Sequence, residues 1–312
     1  PGMLQVNDTA EVKGVITLED YGTILVPPTG TFLINTGGVL KFNGGEVKIH
    51  PSGSLYRFRN LGTIEWENGL ILPMYEPGNP PCSFNNEGNI AIIDASAYLM
   101  NCNFINSNNL AINNGILTVS DGSFTNAGTG LIEVAFNSAI NFSTSSTDIT
   151  LTNKGTLKGR GIVGGTGFTF VNEGIVDPGW YEASVLYFDP LDIRGNYMQT
   201  SLGKLHIDAN SSGNDFVRIS GTTQLNGILE FAPFGTFIPV GSFDVLKSDG
   251  SMNGTLTLVP LSGYTIFGEI VSGTSNVYRV KVVQGSGYKW RGVNSDTWTE
   301  AGNWDGNAVP SS

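Results

Sequence analysis

Along most of the chain apolar and polar residues alternate in short runs, as in Gly38-Val39-Leu40-Lys41-Phe42, Gly115-Ile116-Leu117-Thr118-Val119 and Asp148-Ile149-Thr150-Leu151-Thr152. A period of two puts successive side chains on opposite faces of a strand, and the Gly, Asn, Ser and Pro residues between runs supply the corners. Asn and Gly in particular accept the positive φ of a tight corner. The apolar residues are dispersed among turn formers rather than gathered at helical spacing. The pattern predicts an all-β chain built from strands of about four to six residues.

The strands repeat. Phe84-Asn85-Asn86-Glu87-Gly88-Asn89-Ile90-Ala91-Ile92 matches Phe104-Ile105-Asn106-Ser107-Asn108-Asn109-Leu110-Ala111-Ile112 at an offset of 20, and Phe124-Thr125-Asn126-Ala127-Gly128 follows after another 20. The first two copies extend back to Cys82 and Cys102. A looser form, Asn-x-Gly near an aliphatic residue, runs through Asn35, Asn60, Asn86, Asn126, Asn153 and Asn172, and Asn106 fits with Asn108 in the glycine place; the seven are spaced by 25, 26, 20, 20, 27 and 19 residues. A second landmark, Pro28 to Phe32 against Pro51 to Leu55, keeps phase at an offset of 23. An irregular period of this size is that of a coil with elastic loops. The fold class expected is all-β, a right-handed parallel β-helix (β-solenoid) with about three short strands per coil of roughly 19–27 residues.

Stacked coils place like residues over one another. Phe84, Phe104 and Phe124 are expected inside, one per coil, with Asn86, Asn106 and Asn126 forming an amide ladder at one corner. Cys82 and Cys102 fall on adjacent rungs, where a Cα separation of about 5 Å lies within what a disulfide tolerates. A buried thiol pair is preferred, since strand-neighbour bridges are often strained and free Cys packs well; both readings stay open, and a metal role for the pair is not expected.

Residues 1–190 read as coils with Asn and Phe ladders, and 191–283 as a continuation with wider coils or a cap. In the latter, Leu225-Asn226-Gly227 recurs 27 residues later as Met252-Asn253-Gly254. Residues 284–312 read as a linker and the start of a Trp-rich module.

Composition narrows the partners. With 42 Gly and 30 Asn among 312 residues, only 16 Lys plus Arg against 27 Asp plus Glu, and a net charge of -11, the chain lacks the basic surface that binds phosphates. Nucleic acid and anionic lipid surfaces are excluded as partners. No run of 18 apolar residues spans a membrane, and no signal peptide is expected within the sequence as it stands.

Candidate chemistry is sparse. Asp20 with Glu19, Asp94, Asp121, Asp148, Asp177, Asp189 with Asp192, and Asp208 with Asp215 are scattered and read as turn residues. His50 and His206 are far apart, which argues against a nucleophilic triad. Gly159 to Gly165 lacks the Lys-Ser/Thr ending of a phosphate loop. No catalytic residue, metal site or cofactor is expected. Two insertions break the rhythm: Pro73 to Pro81, close to Trp66, and Pro178 to Pro190. Their aromatics beside carboxylates make Trp66, Tyr75, Trp180 and Tyr181 the candidate contacts for a polysaccharide or a host-surface glycan. The competing reading is that Trp66, Trp180 and Tyr181 cover the apolar flank.

A resemblance adds to this. Gly155-Thr156-Leu157-Lys158-Gly159, Asn172 to Gly179, Leu191 to Thr200, Gly203 to Asp208, Asp215 to Gly221 and Leu225 to Leu229 together resemble the passenger β-helix repeats of autotransporter-like bacterial surface proteins of the adhesin type. The tail, with Tyr288-Lys289-Trp290-Arg291-Gly292, Thr297-Trp298-Thr299 and Asn303-Trp304, is similar to the opening of a Trp-rich module of large Bacteroidetes-type exported proteins. The resemblance implies a secreted or cell-surface location in a bacterium, further modules in the same chain, and a non-catalytic structural or adhesive role. The alternatives are a polysaccharide lyase or hydrolase on the same scaffold, favoured if carboxylates converge in one groove beside Arg or Lys, or a carbohydrate-binding module. An ice-binding face would need Thr-x-Thr rungs at the coil period, which are absent.

Overall fold

A computed structural model describes residues 2–6, 8–28, 30–50, 58–73, 81–143, 149–182, 185–234 and 240–284, and in it the chain winds as an all-β parallel solenoid. Its strands fall into three columns, each strand pairing in parallel with its counterpart one coil on. Column one contains Thr9–Val12, Thr31–Ile34, Phe58–Asn60, Cys82–Asn86, Cys102–Asn106, Phe124–Asn126 and Ile149–Asn153, then 168–172, 196–199, Thr223–Leu225 and Met252–Gly254. Column two runs from Val15–Leu18 through 39–42, 63–66, 89–92, Asn109–Asn113, Leu131–Val134, Thr156–Gly159, Ile175–Pro178, Lys204–Asn210 and Ile228–Pro233 to Thr257–Leu258. Column three begins with Met3–Gln5 and Thr23–Val26 and ends with Val217–Ile219 on 246–248.

The alternation seen in the sequence is the alternation of burial. Thr23–Val26, Thr31–Ile34 and Leu131–Val134 each place every second residue in the core. Long strands such as Val39–Ile49 and Ile162–Asn172 run through a corner and serve two columns, bending where the register slips.

The core is a continuous stack. Phe58 and Phe84 stack with centroids 4.5 Å apart, Phe84 lies 4.9 Å from Phe104, and Phe104 lies 4.8 Å from Phe124. Leu151, Phe170 and Tyr197 continue the column. Each fully buried Phe contributes about 1.5–3 kcal/mol by removal of apolar area from water. Beside this stack runs an amide ladder. Asn60 Nδ2 donates to Asn86 Oδ1 at 2.7 Å, Asn86 to Asn106 at 2.7 Å, Asn106 to Asn126 at 2.8 Å, Asn126 to Asn153 at 2.7 Å and Asn153 to Asn172 at 2.9 Å. Asn172 passes the chain to Gln199 Oε1 at 3.3 Å. These side chains are buried, and each Asn donates a second bond to a carbonyl of the next coil, so no amide is left wanting a partner.

Two alignments read from the sequence shift in register. Asn60 pairs with Ile34, not Asn35. Asn35 therefore sits one residue past the ladder, half-buried, and its amide donates to Glu11 at 3.0 Å; a slip of one residue moves a side chain to the other face. Leu225 pairs with Gly254 rather than Met252, because Thr223 and Met252 hold the inward positions opposite each other.

The far end is closed by an antiparallel sheet of Gly241–Ser248, Asn276–Gln284 and Tyr264–Val271. Tyr278, Val280 and Val282 of that sheet are buried and seal the stack. Cys82 and Cys102 are opposite one another on adjacent rungs, buried and unbridged. No helix among the described residues is long and apolar enough to cross a membrane. The second landmark falls largely, and residues 285–312 with Trp290, Trp298 and Trp304 fall wholly, outside the described residues.

Candidate functional site

The outward positions of column two form a second, charged ladder. Glu133 lies opposite Lys158, Lys158 opposite Asp177, and His206 opposite Glu230. Val176 pairs with Leu205, so the next outward residues, Asp177 and His206, are neighbours across the rung. Lys204, His206 and Asp208 project from one face of Lys204–Asn210, whose inward residues Leu205, Ile207 and Ala209 are fully buried. The rigid interior thus fixes the spacing of the polar exterior.

Asp177, His206 and Asp208 offer donor atoms that all lie within 4.8 Å of one another, the one such trio found among the described residues. His206 Nε2 faces Asp208 Oδ1 at 3.5 Å, and Nδ1 faces Glu230 Oε2 at 3.0 Å. Glu230 also accepts from Lys204 Nζ at 2.8 Å, and Lys158 Nζ stands 3.8 Å from Asp177. The hydrogen bond to Asp208, seconded by Glu230 against the opposing effect of burial, raises the His206 imidazolium to about 9. Burial pushes the Asp177 carboxyl up, opposed by Lys158 and His206.

Asp215 completes the cluster from behind. It is 1% exposed; its Oδ2 accepts the Asp208 backbone N–H at 3.2 Å, and its Oδ1 has no hydrogen-bond partner. Desolvation, together with the negative charge of Asp208, lifts its carboxyl to about 8. Gly179, at φ 91°, lies against this carboxyl, and a side chain there would overlap it.

The sequence pattern makes Asp177, Asp192, Asp208 and Asp215 scattered turn residues without a cluster. That expectation is corrected. Asp177, Asp192 and Asp208 lie in strands, and coil stacking brings Asp177 next to residues 29 and 31 positions further on.

The aromatic candidates are dispersed. Trp66 is 1% exposed and stacks on Phe42 at 5.1 Å, so its faces are closed to a sugar and the glycan assignment fails for it; it occupies an inward position of column two. Trp180 is half-buried in a short antiparallel hairpin, Trp180–Glu182 with Val185–Tyr187, to which Tyr181 also belongs. The hairpin is pinned by Arg160, which bonds Asp189 at 2.7 Å and lies 4.5 Å over the Tyr187 ring. Tyr75 lies outside the described residues. An aromatic pair not singled out in the sequence does face solvent: Tyr21, 80% exposed, and Tyr98, 41% exposed, flank a shallow groove floored by Gly44, Gly45 and Gly69. Its signal was weak, for the two tyrosines stand 77 residues apart.

Comparison with protein-family models and with curated proteins finds no match to this chain.

Proposed function

We propose that the chain is a non-catalytic structural and adhesive module, a stiff solenoid spacer of a larger bacterial surface or secreted protein. The observation that supports this best is the unbroken amide ladder from Asn60 to Gln199, which ties successive coils together along the interior. Parallel strands paired above and below, with the buried amides of the ladder satisfied, resist bending and local opening. The resemblance to autotransporter-like passenger repeats agrees with that role. A glycan contact on such a spacer would fall at the Tyr21 and Tyr98 groove or at the Trp180 hairpin, where aromatic rings are accessible to sugar faces.

Two measurements test this reading. Antibody to the chain should label intact, unpermeabilised cells of the source bacterium, and single-molecule stretching should show coils yielding only at high force. Labelling seen only after permeabilisation, or extension at near-zero force, overturns it.

A second reading is favoured by one observation: four carboxylates, Asp177, Asp208, Asp215 and Glu230, converge beside Lys158, Lys204 and His206. Carboxylates beside basic groups are among the parts a polysaccharide lyase or hydrolase would use. Release of unsaturated uronates or new reducing ends from a polyuronate, abolished in His206→Gln, would establish it in place of the spacer.

A further inference from the structure

We propose that Asp177, His206 and Asp208 form a binding site for a divalent transition cation of the zinc type, with Glu230 and Asp215 as its supporting carboxylates. The donor set comes first. Two carboxylates and one imidazole, all with donor atoms within 4.8 Å of one another, can converge on one ion. A nitrogen donor among the oxygens suits zinc or manganese and disfavours calcium, which takes oxygen ligands.

The second observation is the way the histidine is held. Its Nδ1 is occupied by Glu230 at 3.0 Å, which leaves Nε2 turned toward Asp208. A carboxylate on the far ring nitrogen is the arrangement that fixes the tautomer and orientation of a metal-binding histidine. Lys204 holds Glu230 in place from the other side.

The third observation is independent of the trio. Asp215 is 1% exposed, yet its Oδ1 has no partner. The Asp208 backbone N–H donates to Asp215 Oδ2 at 3.2 Å, which holds this carboxyl beside Asp208, and Asp208, Asp177 and His206 are its charged neighbours. A buried carboxylate oxygen without a donor costs stability unless a positive charge stands near it. Gly179 leaves room for it by having no side chain.

Access completes the argument. A cation bound at Nε2 takes the place of the proton that this nitrogen carries in the imidazolium. The three donor residues stay partly accessible, with side chains 23–27% exposed, so an ion can enter and keep water as its remaining ligand.

The test uses the full chain, stripped with EDTA, dialysed, and titrated calorimetrically with zinc chloride in mildly alkaline buffer. One Zn2+ per chain is expected, with calcium chloride giving no comparable heat. Asp177→Asn and His206→Gln should each weaken binding about tenfold or more, and Glu230→Gln should weaken it by about 10–100-fold as the loss of an orienting partner. His50→Gln should leave binding unchanged. Cobalt loaded in place of zinc should show ligand-field bands that shift in His206→Gln. If His206→Gln loses its far-ultraviolet dichroism, Asp177→Asn decides, since it keeps size and shape at a partly exposed position. Zinc uptake absent from the parent chain, or equal in the parent and Asp177→Asn, overturns the proposal; the latter means adventitious binding elsewhere.

Discussion

Asn126 and Asn153 are separated by 27 residues, yet the Nδ2 of the first donates to the Oδ1 of the second at 2.7 Å. The step before it, Asn106 to Asn126, spans only 20 residues and closes at 2.8 Å. The extra chain is absorbed outside the column. What is conserved from coil to coil is therefore the phase of the inward residues, and the ladder reports that phase directly.

Asn126 accepts from Asn106 and donates to Asn153 and to backbone carbonyls, all in the interior. Asn126→Leu keeps the volume but leaves the Asn153 Oδ1 without its donor. The expected loss is about 2–4 kcal/mol, read as a lower urea midpoint, because a buried unsatisfied acceptor keeps its full desolvation cost. Asn35→Leu, one residue off the ladder, should cost well under half of that. Equal losses at the two sites would show that the ladder adds nothing beyond side-chain packing.

Phe104 lies between Phe84 and Phe124 with centroids 4.9 and 4.8 Å away. Phe104→Ala opens a cavity in mid-stack and should cost about 3–5 kcal/mol, whereas Phe104→Leu, which refills most of the space, should cost substantially less. Thermal denaturation followed by circular dichroism separates the two. A Phe104→Ala midpoint close to that of the parent chain would contradict the continuous core.

How far the sequence reveals this molecule depends on which face a residue occupies. Inward residues repeat in kind, since Phe over Phe and Asn over Asn pack and bond to their own likeness; Phe84, Phe104 and Phe124 can be aligned by eye. Phe58 belongs to the same stack, and its place two residues before Asn60 was the available signal. Outward residues repeat by complement instead. Asp177, His206 and Glu230 form a column that no identity search finds, and only the register of Val176 on Leu205 reveals it. Trp66 misled for a related reason: an insertion nearby suggested exposure, but the alternation of its own strand sends it inward.

Cys82 and Cys102 are stacked, buried and reduced, and burial pushes the Cys102 thiol well above its ordinary range. Both should resist a thiol-directed aromatic disulfide reagent in the folded protein and react together once urea unfolds the chain, since the thiolate is the reacting species. Fast labelling of either thiol in native buffer would mean that the rungs at 82 and 102 open locally. Absence of both thiols in urea would instead show that they are bridged.

Asp215 makes stability depend on pH in a direction opposite to that of an ordinary paired carboxylate. Unfolded, its carboxyl titrates near 4; folded, desolvation and the charge of Asp208 hold the proton up to about 8. Below about 4 both states are protonated and the group imposes no penalty. Between these limits the unfolded state has released its proton and the folded state has not, so rising pH favours unfolding, and above about 8 the penalty is constant. The charged groups facing it are Asp208, Asp177 and His206, and they remain in an Asp215→Asn variant. In EDTA, the parent chain should lose on the order of a few kcal/mol more than Asp215→Asn between about pH 5 and 8. The variant, which can still accept the Asp208 N–H, should therefore be the more stable of the two at pH 8. Stability curves that run parallel over that range would place the Asp215 proton release at the ordinary carboxylate pH and remove the buried, unpaired oxygen from the account of this face.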